Sequence, residues 1–258
     1  MQEADLDLLI RTAREAGRIA LDFAGRDHEK WDKPGGAGPV TEADLAVNAM
    51  LESELRAARP DYGWLSEESP DDPARLSCER VFIIDPIDGT RSFIEGGDTW
   101  AHSMAVVEDG VPVAAVVYLP VKGKLYSAAL DQGAWLNTRP IRASARTDVS
   151  GATVLAAKPT YDSRHWRTGA PAVVRHYRPS LAYRLALVAE GRFDAMLTLR
   201  DSWEWDIAGG ALLLSEAGAA VSDRAGRPLR FNNAHPQVHG VVAGGQAVQA
   251  GLLAELSG

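Results

Sequence analysis

Residues 81–93, VFIIDPIDGTRSF, place two aspartates directly after a run of four apolar residues. If VFII forms a buried strand, Asp85 and Asp88 emerge together at its carboxyl end, where α/β proteins often place ligands. Gly89 permits close approach of the backbone, and the residues from Thr90 onward are expected to begin a short helix whose free N–H groups receive a phosphate. A plain turn is the alternative, since Asp, Pro and Gly are common in turns. The threonine and the apolar approach favour a chemical role.

Two further segments carry acidic residues beside apolar ones. In GWLSEES, residues 63–69, a strand would point Glu67 and Glu68 to opposite faces, so at most one is expected to join Asp85 and Asp88. Taken alone, this stretch is explained as well by a solvated loop. In WEWDIAGG, residues 203–210, Asp206 begins an apolar helix, and a helix N-cap is its default interpretation.

Oxygen ligands dominate this set of residues. Asp44 follows Thr41 in the pattern of a capping box, which is compatible with a functional role for Asp44. No His or Cys cluster accompanies the acids, and hard oxygen ligands suit Mg²⁺ or Mn²⁺ rather than Zn²⁺. Converging carboxylates repel one another, so two or more divalent ions are the expected occupants. Two metals about 4 Å apart stabilise both oxygens of an in-line phosphoryl displacement.

Composition restricts the partners. The chain has 258 residues, is 46% hydrophobic and carries a formal net charge of -8, which argues against binding a nucleic-acid polymer or a membrane surface. The single cysteine, Cys78, excludes an internal disulfide framework. The acidic amino terminus lacks the pattern of a signal peptide. We therefore expect a cytoplasmic protein that acts on a small molecule.

Hydrophobic periodicity predicts a mixed fold. Two amphipathic helices, one ending near Gly25 and one running from Thr41 to before Pro60, precede strands and an antiparallel meander. Beyond about residue 150, strand-like and helical segments alternate, which indicates an α/β half. The chain is therefore predicted to be α+β / α/β. A first subdomain, residues 1–150, carries most of the acids, and a second, residues 151–258, supplies Asp206 and substrate contacts.

Four motifs together resemble those of the inositol monophosphatase superfamily of magnesium-dependent, lithium-sensitive phosphatases, which includes a 3′(2′),5′-bisphosphate nucleotidase branch. They are GPVTEAD, WLSEES, DPIDGT and WEWDIAGG, in that order along nearly the whole chain. The resemblance implies a layered αβαβα sandwich with an antiparallel-sheet half and a smaller mixed half. It also implies a cofactor of two or three Mg²⁺ ions, for which Mn²⁺ substitutes.

The resemblance further assigns roles to individual residues. The metal ligands it implies are Glu67, Asp85, the carbonyl group of Ile87, Asp88 and Asp206. It implies that Asp44 and Thr90, together with Glu67, activate the attacking water. It also implies that phosphate is held at Asp88 and by the backbone amides of Gly89 and Thr90. Hydrolysis would then be direct, without a covalent phosphoenzyme.

The substrate is expected to be adenosine 3′,5′-bisphosphate. DGTRSF differs from the DGTTNF common in inositol monophosphatases, whereas WEWD and SLAYRLALVAEG look more like the nucleotidase branch. Arg184 is a candidate partner for a second phosphate, and Trp205, with Trp203, for stacking on a base. A solvated helix face and ordinary packing are the alternatives for these side chains. Inositol 1-phosphate, histidinol phosphate and fructose 1,6-bisphosphate are the alternative substrates.

The sequence also allows other protein classes to be considered. A haloacid-dehalogenase-like phosphatase is disfavoured because its D-x-D-G-T motif spaces the acids differently and lies near the amino terminus. A non-catalytic phosphate-binding regulator is the alternative of another class. Either Lys30 or Lys33, which both precede the insert PGGAG and the VTEAD motif, is a candidate to approach the site. A homodimer is compatible with the sequence.

Overall fold

The computed structural model describes residues 3–25, 29–33 and 38–257. Its helices are α1 (Asp5–Phe23), α2 (Glu42–Ala58), α3 (Thr90–Ile94), α4 (Leu181–Ala189), α5 (Glu204–Glu216) and α6 (Gln246–Glu255). Its strands are β1 (Lys30–Asp32), β2 (Pro39–Thr41), β3 (Gly63–Ser66), β4 (Arg80–Asp88), β5 (Ala101–Glu108), β6 (Val111–Leu119), β7 (Lys124–Ala129), β8 (Ala134–Leu136), β9 (Arg139–Ile141), β10 (Thr153–Ala156), β11 (Val174–His176), β12 (Ala195–Thr198), β13 (Ser202–Trp203), β14 (Ala220–Ser222), β15 (Gln237–Val238) and β16 (Val241–Gly244). None of the helices in these described ranges is long and apolar enough to span a membrane.

The larger sheet has seven strands in the order β3-β4-β5-β6-β7-β8-β9. β3 pairs with β4 in parallel, and every later neighbour in this sheet is antiparallel. Because successive antiparallel strands need only short connections, the strands from β4 onward follow chain order. The predicted antiparallel meander is thus confirmed.

The smaller sheet is mixed, with five strands in the order β11-β10-β12-β16-β14. β10 lies parallel to both β11 and β12, whereas β16 lies antiparallel to β12 and β14. Helices connect several of these strands, as the alternating sequence pattern predicted. Two further pairs, β1 with β2 and β13 with β15, form separate two-stranded ribbons.

The sheets and helices stack in five layers. Alternate residues of β4 face different cores: Ile84 packs with α1 and α2, whereas Ile83 packs with α4 and α5. In β10, Leu155 faces this same central core, and Val154 faces the core that contains α6. Such alternation follows from the two-residue period of a strand. The order of layers is therefore helices, large sheet, helices, small sheet, helix, and the predicted αβαβα sandwich is confirmed.

Candidate metal-dependent phosphatase site

A β-bulge at the end of β4 brings the two aspartates of DPID to the same side. Asp85 pairs with Ser103 of β5, whereas Asp88 pairs with Ala101, so three steps along β4 match two steps along β5. In a regular strand, residues three apart point to opposite faces, and one extra residue restores a common face. Pro86 lies inside the bulge, where a residue without an N–H group loses no ladder bond.

Asp206 completes a cluster of three carboxylates. One oxygen atom each from Asp85, Asp88 and Asp206 lies within 4.8 Å of the others. Asp85 and Asp88 are buried, Asp206 is half-buried, and all three line a cleft of about 530 Å³. The buried Oδ1 atom of Asp85 has no hydrogen-bond partner among the described residues. The cluster thus presents a buried, unpaired carboxylate oxygen of the type that binds Mg²⁺.

The glycines of WEWDIAGG explain how Asp206 reaches this place. A Cβ atom on Gly209 would lie 3.3 Å from Ser103 Oγ, and one on Gly210 would lie 2.4 Å from Leu185 Cβ. Small residues therefore let α5 approach β5 and α4 closely. Asp206 is the third residue of α5, and its side chain does not cap the helix, because the N-cap is Trp203. The N-cap interpretation of Asp206 was therefore wrong.

One oxygen atom of Asp88 is anchored by the amino terminus of α4. Ser180 Oγ and the Ala182 backbone N–H both donate to Asp88 Oδ2 at 2.6 Å. Ser180 also caps α4 by accepting from the Tyr183 N–H at 3.0 Å. Sequence reasoning missed Ser180, although a serine before an apolar helical run is the ordinary N-cap signal.

Asp44 of α2 contacts Thr90 at the start of α3. The capping box of α2 is formed: Thr41 donates to Asp44 Oδ2 through its N–H at 2.9 Å and its hydroxyl at 2.6 Å. The other oxygen atom of Asp44 lies 3.3 Å from Thr90 Oγ1. Thr90 Oγ1 also lies 3.1 Å from the carbonyl oxygen of Ile87. The predicted pair is thus in contact, and the capping role of Asp44 coexists with it.

Lys33 bridges the two glutamates that follow β3. Its Nζ atom lies 2.8 Å from Glu67 Oε1 and 2.6 Å from Glu68 Oε1. The strand ends at Ser66, so the alternation argument does not apply to these residues, yet only Glu67 lines the cleft. Of the two candidate lysines, Lys33 approaches the site, while Lys30 is exposed on β1. Residues 34–37 of the PGGAG insert lie outside the described residues.

Burial sets the acidities of these groups. It raises the pKa of Asp85 well above its ordinary value, and the charges of Glu67 and Asp88 add to the rise. Desolvation likewise raises the pKa of Asp206, followed by repulsion from Asp88 and Glu67. Burial raises the pKa of Asp44 to about 6 against the opposing hydrogen bonds from Thr41. Such a set ionises together only when a cation compensates the charge.

The remaining substrate candidates differ in their burial and in their contacts. Arg184 is buried on α4 and lines the cleft. Arg200, which is exposed, also lines the cleft, and sequence reasoning missed it. Trp205 stacks on Trp203 with ring centroids 4.7 Å apart, and its backbone carbonyl accepts from Ser103. Trp205 packs against the central core, and its role in base stacking stays a prediction.

Comparison with known proteins identifies the family. Residues 1–258 match the model of the inositol monophosphatase family. An inositol-1-monophosphatase of Rhizobium meliloti is 34% identical over 241 residues, 88% of this chain and 89% of that protein. A histidinol-phosphatase of Chlorobaculum parvum is 32% identical over 260 residues, 98% of this chain and 96% of that protein. The crystal structure of the extragenic suppressor protein suhB from Bartonella henselae superposes with a TM-score of 0.82 at 28% identity, covering 98% of both chains. The chain therefore belongs to the inositol monophosphatase family.

Proposed function

We propose that this chain is a Mg²⁺-dependent phosphomonoesterase that hydrolyses a small phosphorylated metabolite by direct attack of water. The single observation that carries the proposal is the cluster of Asp85, Asp88 and Asp206 within 4.8 Å, with a buried carboxylate oxygen left unpaired. An unpaired buried acceptor is costly, and a divalent cation satisfies it while removing the repulsion among the acids. The donor set therefore fits magnesium.

The proposed ligands of two or three Mg²⁺ ions, or of Mn²⁺ in their place, are Glu67, Asp85, the Ile87 carbonyl group, Asp88 and Asp206. When bound, the metal would neutralise phosphate charge and make water a stronger nucleophile. All five residues line the cleft. Asp88 reaches into it with one oxygen atom while Ser180 and Ala182 hold the other.

The chain's own groups orient the water and the phosphate. Thr90 Oγ1 is the proposed acceptor for one proton of the water, and Asp44 Oδ1, 3.3 Å away, takes the proton of the hydroxyl group in turn. Glu67, which lines the cleft and is held by Lys33, is the proposed second acceptor. The backbone N–H groups of Gly89 and Thr90 are the proposed phosphate donors. Gly89 has φ = 98°, which a residue with a side chain rarely adopts.

Adenosine 3′,5′-bisphosphate is the proposed substrate, losing its 3′-phosphate. Three arginines, Arg91, Arg184 and Arg200, in the wall of an otherwise acidic cleft support a substrate with a second anionic group. Inositol 1-phosphate and histidinol phosphate are the alternatives, supported by the names of the relatives in Rhizobium meliloti and Chlorobaculum parvum. We also propose that the enzyme is cytoplasmic and acts on small molecules. A homodimer is compatible with the sequence, and light scattering would test it.

The experiment is a substrate panel under one Mg²⁺ condition. It compares kcat/KM for adenosine 3′,5′-bisphosphate, 3′-AMP, inositol 1-phosphate, fructose 1,6-bisphosphate and histidinol phosphate, each with and without a chelator. We expect hydrolysis that disappears with the chelator and a preference for the adenosine bisphosphate. Inositol 1-phosphate ahead by tenfold or more would remove the nucleotidase assignment and leave the phosphatase. Phosphate binding without any turnover would favour the non-catalytic regulator.

A further inference from the structure

A second cavity adjoins the metal cleft. It has a volume of about 470 Å³ and lies between the loop after β10 and the end of β12. Three residues, Tyr177, Arg184 and Arg200, line both this side cavity and the cleft. A molecule with its phosphoester at the three aspartates can therefore extend past these residues into the side cavity.

The charge of the wall reverses between the two spaces. The cleft is lined by five carboxylate residues, Glu67, Asp85, Asp88, Glu95 and Asp206, which outnumber its three arginines, Arg91, Arg184 and Arg200. The described residues around the side cavity include no carboxylate but do include the basic side chains Arg164, His165, Arg184 and Arg200. Hydroxyl groups of Thr160 and Thr198 and apolar side chains complete its wall. This lining suits a ligand with a neutral body and an anionic end.

The two shared arginines are held differently. Arg184 donates from Nε to the Arg178 carbonyl oxygen at 2.5 Å and from Nη2 to that of Pro179 at 3.3 Å, and its guanidinium lies 4.5 Å from the centre of the Tyr177 ring. Its main contacts therefore fix the turn before α4. The Arg200 side chain is exposed and forms no hydrogen bond or ion pair with any residue in the described ranges, whereas its backbone carbonyl oxygen accepts from Ser202 Oγ at 3.3 Å. Arg200 thus retains all of its donors for a ligand.

The positive charges of Arg184 and Arg200 also repel each other. Burial lowers the pKa of Arg184, and the charge of Arg200 lowers it further, against the opposing effects of Tyr177 and Asp88. An anion bound to both arginines would relieve this repulsion.

On the basis of the phosphomonoesterase function proposed above, we infer that the side cavity binds a second anionic group of the substrate, a phosphate or a carboxylate. Arg200 is the primary contact, and Arg184 reinforces it from the fixed turn. The body of the leaving group lies against Leu197, Leu199 and Pro159. The cavity thereby selects substrates that carry two anionic groups over simple monophosphates.

The test compares two substrates in matched variants. Arg200→Gln removes the charge, Arg200→Lys retains it, and Arg139→Gln removes an exposed charge from strand β9, far along the sheet. With saturating Mg²⁺, we expect Arg200→Gln to lower kcat/KM for adenosine 3′,5′-bisphosphate by about tenfold to a hundredfold, as loss of a charge-assisted hydrogen bond does. For 3′-AMP, which lacks the second phosphate, the change should stay below about threefold. Arg200→Lys should recover part of the loss, and Arg139→Gln should match the wild type.

Two results would overturn the inference. One is an equal loss for both substrates in Arg200→Gln, which would place Arg200 at the scissile phosphate. The other is an unchanged ratio of the two kcat/KM values. If the wild type hydrolyses no phosphomonoester, the proposed function fails, and calorimetric titration with 5′-AMP in metal-free buffer decides the inference separately. Weaker binding by Arg200→Gln than by the wild type supports the subsite, and equal binding refutes it.

Discussion

Thr90 and Asp88 lie two residues apart and have different surroundings. The Thr90 hydroxyl group contacts Asp44 and the Ile87 carbonyl oxygen. Thr90 is not part of the three-aspartate cluster. Asp88 is one of those carboxylates and is also tied to α4. Substitutions at the two positions should therefore separate the orientation of water from the binding of metal.

For Thr90→Ala, we expect kcat to fall by about a hundredfold to ten-thousandfold, the typical contribution of a positioned proton-transfer group. Mg²⁺ affinity should stay close to that of the wild type, because no proposed metal ligand is removed. Steady-state kinetics and calorimetric Mg²⁺ titration measure the two quantities. Thr90→Ser, which keeps the hydroxyl group, is the control and should retain most of the activity. A near-normal kcat in Thr90→Ala would contradict the assigned role.

For Asp88→Asn, both Mg²⁺ affinity and kcat should fall, since the substitution removes one negative charge from the cluster but keeps the size of the side chain. Glu95→Gln is the matched control, because Glu95 lines the same cleft outside the three-aspartate cluster. Calorimetric titration of both variants with Mg²⁺ gives the comparison. Equal Mg²⁺ affinity in Asp88→Asn and the wild type would show that Asp88 is not a ligand.

At the level of the helices and strands, local sequence signals predicted individual elements correctly. They did not predict the contacts between residues that are distant in the sequence. The capping box at Thr41 and the apolar run before Asp85 are local, and both formed as expected. The bulge in β4 depends on how β5 pairs with it, and the anchoring of Asp88 depends on α4, more than ninety residues later. Contacts of this kind arise from tertiary packing, so one sequence does not reveal them.

Ser180 joins an element to the site, and its substitution tests that connection. Ser180→Ala removes the N-cap of α4 and one donor to the buried Asp88, so we expect a loss of about 1–3 kcal/mol in the free energy of unfolding. Ser150→Ala, at an exposed serine, is the control and should change it by less than about 0.5 kcal/mol. Urea unfolding of the metal-free variants measures both. A loss no larger than that of the control would mean that the Ser180 contacts add no stability.

At the scale of the whole molecule, the layers bring distant acids together. The carboxyl end of β4 in the large sheet and the first turn of α5 in the central layer supply the three aspartates, while α2 supplies Asp44. The metal-free fold therefore confines several raised-pKa carboxyls in one place. The proposed division near residue 150 remains a prediction, and limited proteolysis would test it.

The direction of the pH effect follows from these shifts. Asp44 has an ordinary pKa of 3.8 and a folded pKa of about 6, and Asp85 and Asp206 are shifted in the same direction. An acid with a raised folded pKa stabilises the fold when protonated, so its contribution is complete below about pH 3.8 and is lost as the pH rises through the folded value. For Asp44 this window runs from about pH 4 to about pH 6. In the metal-free protein, these acids should therefore lower the free energy of unfolding most above this pH range.

Magnesium should reverse that penalty, so we expect the stabilisation by Mg²⁺ to be larger at about pH 8 than at about pH 5. At the lower pH, protons compete with the metal for the carboxylates, whereas at the higher pH the metal relieves their repulsion. At one fixed Mg²⁺ concentration, set to one hundred times the Kd at pH 8, the gain at pH 8 is about 2.7 kcal/mol, and at pH 5 it is smaller because Kd is larger there. Urea unfolding with Mg²⁺ and with chelator at each pH measures the difference. Burial also lowers the pKa of His102 to about 4, so this residue destabilises the fold as the pH falls below about 6.5. The effect is present both with and without Mg²⁺ and therefore cancels in the comparison. A Mg²⁺ effect that is equal at both pH values would mean that Asp85 and Asp206 do not bind the metal.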